Sequence, residues 1–293
     1  MTTETVIAAS PVQNGRLRAW NARLPHSLFS LGSRRAAISV VVVLLFWQIG
    51  ATSPGWLGVR LPVVGAVPSP VAVFTAWSHL INDHGYWQSW YLSFVRVTLG
   101  FAAAAVVGVP FGLLLAINPT FRGISFPVFE VLRPIPPLAW VPASIIFWPT
   151  QELSIDFVIF IGAFYTIVIN VLGGAQAIDI RLIQAARSMG ASRWNIFRRL
   201  ILPGVLPSIC VGFEVAIGIT WEVVVAAEMI SGGGAAGTAA AGGGLGFFIW
   251  NSYVGGAYPN IVVGMISIGI AGYLSSISVR AIASRFTPWL RLR

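Results

Sequence analysis

The sequence predicts an all-α integral membrane protein with about six transmembrane helices and both termini in the cytoplasm. Three observations support this: the composition, the apolar runs and the arginine distribution. Apolar residues make up 56% of the 293 residues and charged residues 9%, whereas about a quarter of residues are charged in a soluble domain. A chain this apolar is expected to lie within a lipid bilayer.

Six apolar runs approach the length that a helix needs to cross the hydrocarbon layer, about 20 residues. They are 36–53, 90–117, 126–148, 155–175, 206–229 and 261–282. This division predicts a cytoplasmic tail over 1–35, a first transmembrane helix over 36–53 and a periplasmic segment over 54–89. A core domain follows over 90–282, with five transmembrane helices and a cytoplasmic loop over 177–205, and then a cytoplasmic tail over 283–293.

Arginine supplies all 18 basic residues, and their distribution predicts the orientation of the helices. With the N-terminus inside, sixteen arginines fall in or beside cytoplasmic segments, including Arg133 near the inner end of the third run. Arg60 and Arg96 fall on the outer side. Because short arginine-rich loops stay cytoplasmic, this split favours an even number of helices.

The periplasmic segment contains a helix start signal. Ser69 precedes Pro70, which is the order expected of an N-cap residue and the first helical position. Val73, Trp77 and Ile81 then recur on one face, together with Leu80. The pattern predicts a short amphipathic helix on the membrane surface.

The third run is interrupted by four prolines within nine residues: Pro134, Pro136, Pro137 and Pro142. Each proline removes a backbone donor and strains the preceding turn. Broken helices persist at membrane depth where they are buried in protein or line a cavity. We therefore predict that this half-span, with Trp140, lines a pathway through the protein or a seam between two copies of the chain; the alternative is a simple kink.

The fifth run carries three carboxylates, Glu214, Glu222 and Glu228, beside Trp221. At 100° per residue they lie within about a third of the helix circumference. A carboxylate at membrane depth is costly and usually faces the bundle interior. Two hypotheses remain: structural pairing with Arg96 or a backbone donor, or contact with the solute in a pathway.

The most basic internal stretch, 184–203, holds four arginines and no acid, and Gly190 divides it into two short helical pieces. Its spacing resembles the E-A-A…G…I-x-L-P loop of bacterial ABC importer permeases, with Gln184 and Leu200 departing from the pattern. In that family the loop docks on the ATPase, which implies a docking role for a set of residues here. They are Gln184, Ala185, Ala186, Met189, Gly190, Arg193, Leu202 and Pro203.

Further stretches are similar to the nitrate, sulfonate, taurine and bicarbonate branch of these permeases: 132–142, 221–229 and 244–251. The resemblance covers about 65–282 and implies a type I importer fold. It also implies a second permease copy, expected to form a homodimer, together with two cytoplasmic ATPase subunits and an extracytoplasmic binding protein. ATP–Mg would be bound by the ATPase. The resemblance implies no catalytic site, metal or cofactor in this chain. The expected surroundings are membrane lipid, and no nucleic-acid partner is expected.

Two other functions are compatible with parts of the sequence. An ion-coupled secondary transporter or channel could use the three carboxylates, but we detect no inverted repeat in the sequence. An intramembrane enzyme would need a convergent nucleophile and base or a metal set, and the chain has one cysteine, three histidines and no HExxH pattern. The glycine-rich stretch 231–244 lacks the lysine of a phosphate loop and is expected to be a flexible periplasmic loop.

Overall fold

The computed structural model describes residues 31–57, 67–232 and 243–287, and all regular structure in those ranges is helical. Four helices are long and apolar enough to cross a membrane: His84–Ile117, Gln151–Gln176, Arg193–Ile230 and Tyr258–Phe286. Two apolar helices are shorter, Ile38–Ser53 and Pro137–Phe147. The predicted all-α class is confirmed. The stretch 1–30, most of the glycine-rich stretch and the last six residues lie outside the described residues.

The helices follow one another with short connections. In chain order they are α1 (Leu31–Leu57), α2 (Pro70–Leu80), α3 (His84–Ile117), α4 (Pro119–Leu132), a 3₁₀ turn (Pro137–Trp140), α5 (Val141–Phe147), α6 (Gln151–Gln176), α7 (Ile180–Ser188), α8 (Arg193–Ile196), a π-helical turn (Phe197–Ile201), α9 (Leu202–Gly232), α10 (Leu245–Val254) and α11 (Tyr258–Phe286).

The observed bounds of two helices differ from the apolar runs that predicted them. The first helix begins at Leu31, inside the predicted tail, and continues past the predicted end at residue 53. Helix α3 begins at His84, six residues early, because the Asp83 carboxylate accepts a hydrogen bond from the Gly85 amide at 3.0 Å. A side chain that satisfies a first-turn donor starts a helix before its apolar run begins.

The helix predicted after Ser69 is present as α2. The Ser69 hydroxyl accepts a hydrogen bond from the Ala72 amide at 3.3 Å, and Pro70 occupies the first helical position. Val73 is buried at 6% exposure, whereas Trp77 is 42% exposed. One side of α2 therefore packs on the bundle and the other remains open.

The third apolar run is not the single helix that its length suggested. Helix α4 stops at Leu132, the chain turns through 133–136, and a 3₁₀ turn and the short α5 follow. The clustered prolines explain the interruption, because each one removes a backbone donor from the helical ladder. Arg133 follows the fourteen helical residues of α4, about 20 Å along the helix from its start.

Helix α6 lies at the centre of the core, packed between α3 and α9. Ile159, Ile167 and Val171 on α6 are fully buried and join clusters that include Val97 on α3 and Val224 on α9. Helix α10, which the sequence analysis did not predict, packs against both α9 and α11. The three-helix core positions the charged side chains of α3 and α9 described below.

Candidate functional site

The predicted docking loop forms two short helices joined at Gly190. The Asp179 carboxylate caps α7 by accepting the Arg181 amide at 2.8 Å, and the Ser192 hydroxyl accepts the Asn195 amide at 3.3 Å to start α8. Gly190 has φ of +78°, with no atom within 4 Å of the position that a Cβ would occupy. The division of the loop at Gly190 is as predicted. Backbone conformation, rather than crowding, is what requires glycine.

The loop presents large apolar side chains in the open. Met189 is 81% exposed and Trp194 is 64% exposed. Gln184, Ala185 and Arg193 are exposed beside them. Exposed apolar groups rimmed by arginine are typical of a surface that another protein covers. The sequence analysis missed Trp194, although a tryptophan in a charged loop was a usable signal.

The loop joins α9 without an interruption. The π-helical turn runs directly from α8 into the first residue of α9, Leu202. Phe197 and Leu202 pack on a cluster around the fully buried Val205. Pro203 and Ala186 are half-buried. Because the connection is helical and packed, a displacement of the loop would be transmitted to α9.

A buried charge cluster joins α3, α6, α9 and the start of α10. Arg96 donates to Glu228 from Nη1 at 2.8 Å, and to Glu152 from Nε at 2.8 Å and from Nη2 at 2.6 Å. The Ser93 hydroxyl donates to the Glu228 carboxylate at 2.8 Å and accepts the Leu245 amide at 2.8 Å. Glu228 is 1% exposed and Arg96 3%. Glu228 therefore has the structural pairing with Arg96 that was one of its two hypotheses.

Two glycines allow the chain to enter α10 across this cluster. The Gly246 amide donates to Glu228 at 2.9 Å, and Arg96 also donates to the Gly243 carbonyl. Any Cβ on Gly246 would lie 2.2 Å from the Val225 carbonyl oxygen. Gly244 has φ of +147°, and its missing Cβ leaves room for the Glu228 carboxylate. The glycines are needed because backbone and carboxylate approach this closely.

The other two carboxylates of α9 differ from Glu228. Glu214 accepts a hydrogen bond from Arg280 of α11 on a partly exposed surface. Glu222 is exposed and makes no hydrogen bond or ion pair with any other described residue. It lies in a stripe with Val211, Val215 and Gly218 that no other part of the described chain covers. Of the three, Glu222 is the carboxylate left for an external partner.

The proline-rich break lies against α9 at the level of Glu222. Gly162 of α6 marks the contact. A Cβ at this glycine would lie within 3.5 Å of side-chain atoms of Pro137 in the break and of Ile219 and Val223 on α9. Pro134 and Pro136 are exposed, and Pro137 is half-buried. The break and the open stripe of α9 are therefore neighbours.

The two tryptophans proposed for the pathway are less open. Trp221 is 3% exposed, and its indole N–H donates to the Ser275 hydroxyl at 3.0 Å. Trp140 is half-buried against the same cluster. Trp221 and Glu228 therefore do not face an open surface in this conformation.

Comparison with known proteins identifies the chain. Residues 108–292 match the model of the family described as binding-protein-dependent transport system inner membrane component. The chain belongs to this family. It is therefore a multi-pass inner-membrane permease subunit of an ABC importer, and an ion-coupled transporter or channel is not favoured.

Several relatives of this permease are similar over most of their length. The nitrate import permease protein NrtB of Synechocystis sp. is 34% identical over 87% of this chain and 89% of its own. The taurine transport system permease protein TauC of Escherichia coli is 31% identical, over 88% and 91%. The bicarbonate transport system permease protein CmpB of Synechococcus elongatus is 30% identical, over 94% and 92%.

Solved structures give the same fold. An inward-facing MetNI methionine ABC transporter matches with a TM-score of 0.57 and 19% identity, over 68% of this permease and 95% of that chain. A bacterial ABC transporter that imports the polysaccharide alginate matches with a TM-score of 0.56 and 13% identity, over 87% and 97%. The predicted type I importer fold is thereby confirmed.

Proposed function

We propose that two copies of this permease form the membrane channel of an importer for a small solute that bears an acid group. The relatives named for nitrate, taurine and bicarbonate import support this solute class. In the proposed complex a cytoplasmic ATPase pair binds and hydrolyses ATP–Mg, and an extracytoplasmic binding protein delivers the solute. The observation that carries the proposal is the family match, together with an exposed helical loop built for a protein partner.

The docking surface on the ATPase side is the pair α7 and α8 with Gly190 between them. Met189 and Trp194 offer apolar area that a groove in the ATPase would bury, and Arg193 offers a positive rim. Burial of large apolar side chains is the main source of affinity in such contacts. Because the loop continues into α9, closure of the ATPase pair would shift α9 as a unit.

The pathway in this proposal lies between the proline-rich break and the open stripe of α9. The break presents exposed backbone and Pro134 and Pro136, and the stripe presents Glu222. Irregular backbone and a carboxylate both need a polar or protein-covered setting at membrane depth. A second copy facing this side would supply that setting and enclose the route.

Reconstitution tests the proposal. The permease, its ATPase and its binding protein are placed in proteoliposomes, and uptake of the solute that the binding protein holds is measured with and without ATP. We expect uptake that requires all three components. Uptake that follows an ion gradient and ignores ATP would refute the proposal.

The docking role is tested with Gly190→Val. A β-branched residue at φ of +78° strains the backbone by about 1–3 kcal/mol, so the loop should be displaced while the bundle is unaffected. ATPase co-purification should weaken and uptake should be lost, with membrane insertion unchanged. Gly123→Val is the matched control, because Gly123 is exposed on α4 and has open space at its Cβ position. Full ATPase binding and uptake in Gly190→Val would rule out the docking assignment.

A further inference from the structure

A cavity of about 730 Å³ lies between the cytoplasmic loop and the inner ends of α3 and α6. Ile117 at the end of α3, Asn118 and Pro119 at the start of α4, and Ala175 near the end of α6 all line it. Because α3 is long and apolar enough to cross a membrane and ends at Ile117, the cavity lies where the bundle meets the cytoplasm. Its volume is that of a site for a small organic molecule, about 300–1,000 Å³.

Part of the cavity wall is apolar and open. Leu114 and Ile117 of α3 are 43% and 45% exposed, and Ile180 of α7 is 60% exposed. All three line the cavity. Apolar side chains grouped in this way on a surface mark a place where lipid or another molecule binds. This wall suits a hydrocarbon chain.

The loop adds two arginines to the same cavity. Arg187 in the last turn of α7 and Arg193 at the start of α8 both line it. Within the described residues, neither guanidinium forms an ion pair or a hydrogen bond. The loop 177–205 contains five arginines and a single acid, Asp179, whose carboxylate caps α7. The two guanidinium groups are therefore available to an anion, and their planar fork matches phosphate oxygens.

The cavity is largely separate from the proposed docking surface for the ATPase. Met189 and Trp194, the exposed apolar side chains of that surface, do not line the cavity, and Arg193 is shared by both. The remaining walls come from the ends of membrane helices, which a lipid of the inner leaflet reaches from the side. Basic pockets between membrane helices on the cytoplasmic side typically bind anionic headgroups. An apolar wall beside unpaired cations matches a molecule that joins a hydrocarbon chain to a phosphate.

We propose that this cavity binds one anionic phospholipid of the inner leaflet in each copy of the chain. A hydrocarbon chain of the lipid packs against Leu114, Ile117 and Ile180, and its phosphate is bound by Arg187 and Arg193. Since α3 supplies one wall and the loop supplies the arginines, the bound lipid bridges the loop and the bundle. The inference goes beyond the proposed importer function and does not depend on it.

Lipid binding is tested on the purified full-length permease in mild detergent, without transport. Dioleoyl phosphatidylglycerol is added, and native mass spectrometry at high ionic strength measures the lipid that each copy retains. High ionic strength is used because it screens exposed charges more than enclosed ones. We expect one phosphatidylglycerol per copy and about tenfold less retention of dioleoyl phosphatidylcholine, whose headgroup has no net charge. Equal retention of the two lipids, or of neither, overturns the inference.

Two double variants separate the cavity from the general positive charge of the loop. Arg187→Gln combined with Arg193→Gln should lower phosphatidylglycerol retention by about tenfold or more, because bonds to charged groups are among the stronger hydrogen bonds. Arg198→Gln combined with Arg199→Gln is the matched control: it removes the same charge from the same loop at exposed residues that do not line the cavity. The control should retain phosphatidylglycerol as the wild type does. An equal loss in both double variants would show general attraction only and would overturn the inference.

The apolar wall and the other possible occupants are tested in the same assay. Ile183 lines the cavity and is half-buried, so Ile183→Trp should fill the chain's space and lower retention with both arginines intact. Glycerol phosphate, which has the phosphate and no chains, should not displace the lipid; displacement would assign the cavity to a soluble phosphate ester. Displacement of the lipid by the cognate ATPase would assign the cavity to that subunit. Either displacement overturns the inference.

Discussion

Replacing Glu228 tests whether the buried charge cluster holds the outer end of the bundle together. In Glu228→Leu, the Ser93 hydroxyl and the Gly246 amide lose their acceptor, and Nη1 of Arg96 keeps only the Gly243 carbonyl. Removing one partner of a buried pair costs about 3–5 kcal/mol. Arg96 keeps both bonds to Glu152, so we expect a value of about 3 kcal/mol, at the lower end of that range.

Two further variants calibrate this magnitude. Glu228→Gln keeps the shape and one acceptor oxygen but leaves part of the donor set unsatisfied, which should cost about 1–3 kcal/mol. Glu214→Gln removes an ion pair whose partner Arg280 is 66% exposed, and such surface pairs contribute about 0.2–1 kcal/mol. The expected order of stability is therefore Glu214→Gln, then Glu228→Gln, then Glu228→Leu.

The assay heats the purified permease in mild detergent and measures the fraction of protein that remains monodisperse at each temperature. Hydrogen exchange at the amides of Leu245 and Gly246 gives a local readout, because both donate into the cluster. Exchange there should accelerate in the Glu228 variants and stay unchanged in Glu214→Gln. If Glu228→Leu were as stable as Glu214→Gln and equally protected, the cluster would not have the structural role we assign to it.

Three other predictions concern backbone space, docking and topology. Gly246→Ala should reduce the yield of folded protein, since its Cβ would lie 2.2 Å from a backbone oxygen, whereas Gly269→Ala has open space and should fold normally in the same expression test. Gln184→Glu should keep or strengthen ATPase co-purification and Gln184→Arg should weaken it; the reverse order would contradict the docking surface. With the native cysteine replaced, a cysteine at Asn82 should be labelled by an impermeant maleimide from outside and one at Ser192 from inside, and the opposite pattern would overturn the orientation.

Local signals in the sequence predicted the parts of the structure that depend on a few neighbouring residues. Ser69 followed by Pro70 defined the start of α2 because the cap and the first helical position are adjacent in the chain. Gly190 was predictable for the same reason, since a turn between two short helices requires a positive φ at a residue without a side chain. Such features require no knowledge of which helices pack together.

The interactions that the sequence left undecided depend on contacts between distant residues. The apolar helix α9 carries three carboxylates that differ in their partners. Glu228 pairs with Arg96 of α3, and Glu214 pairs with Arg280 of α11. Glu222 has no ion-pair partner in the described chain. Ser93 and Leu245 are 152 positions apart and share a hydrogen bond. Helix α10 was missed because its ten residues are too short for a periodic signal and it is stabilised by packing on α9 and α11.

The arrangement of α9 explains how a movement at the cytoplasmic loop could change the pathway. From Leu202 to Glu228 the helix rises about 39 Å at 1.5 Å per residue, which exceeds the ~30 Å of a hydrocarbon layer. Its outer end is bonded to α3 and α10 through Glu228, while its inner end continues into the docking loop. A displacement at the loop is therefore converted into a tilt about a fixed outer end rather than a translation. Glu222 lies between these ends, about 9 Å from Glu228 along the axis, so a tilt would move it relative to the proline-rich break.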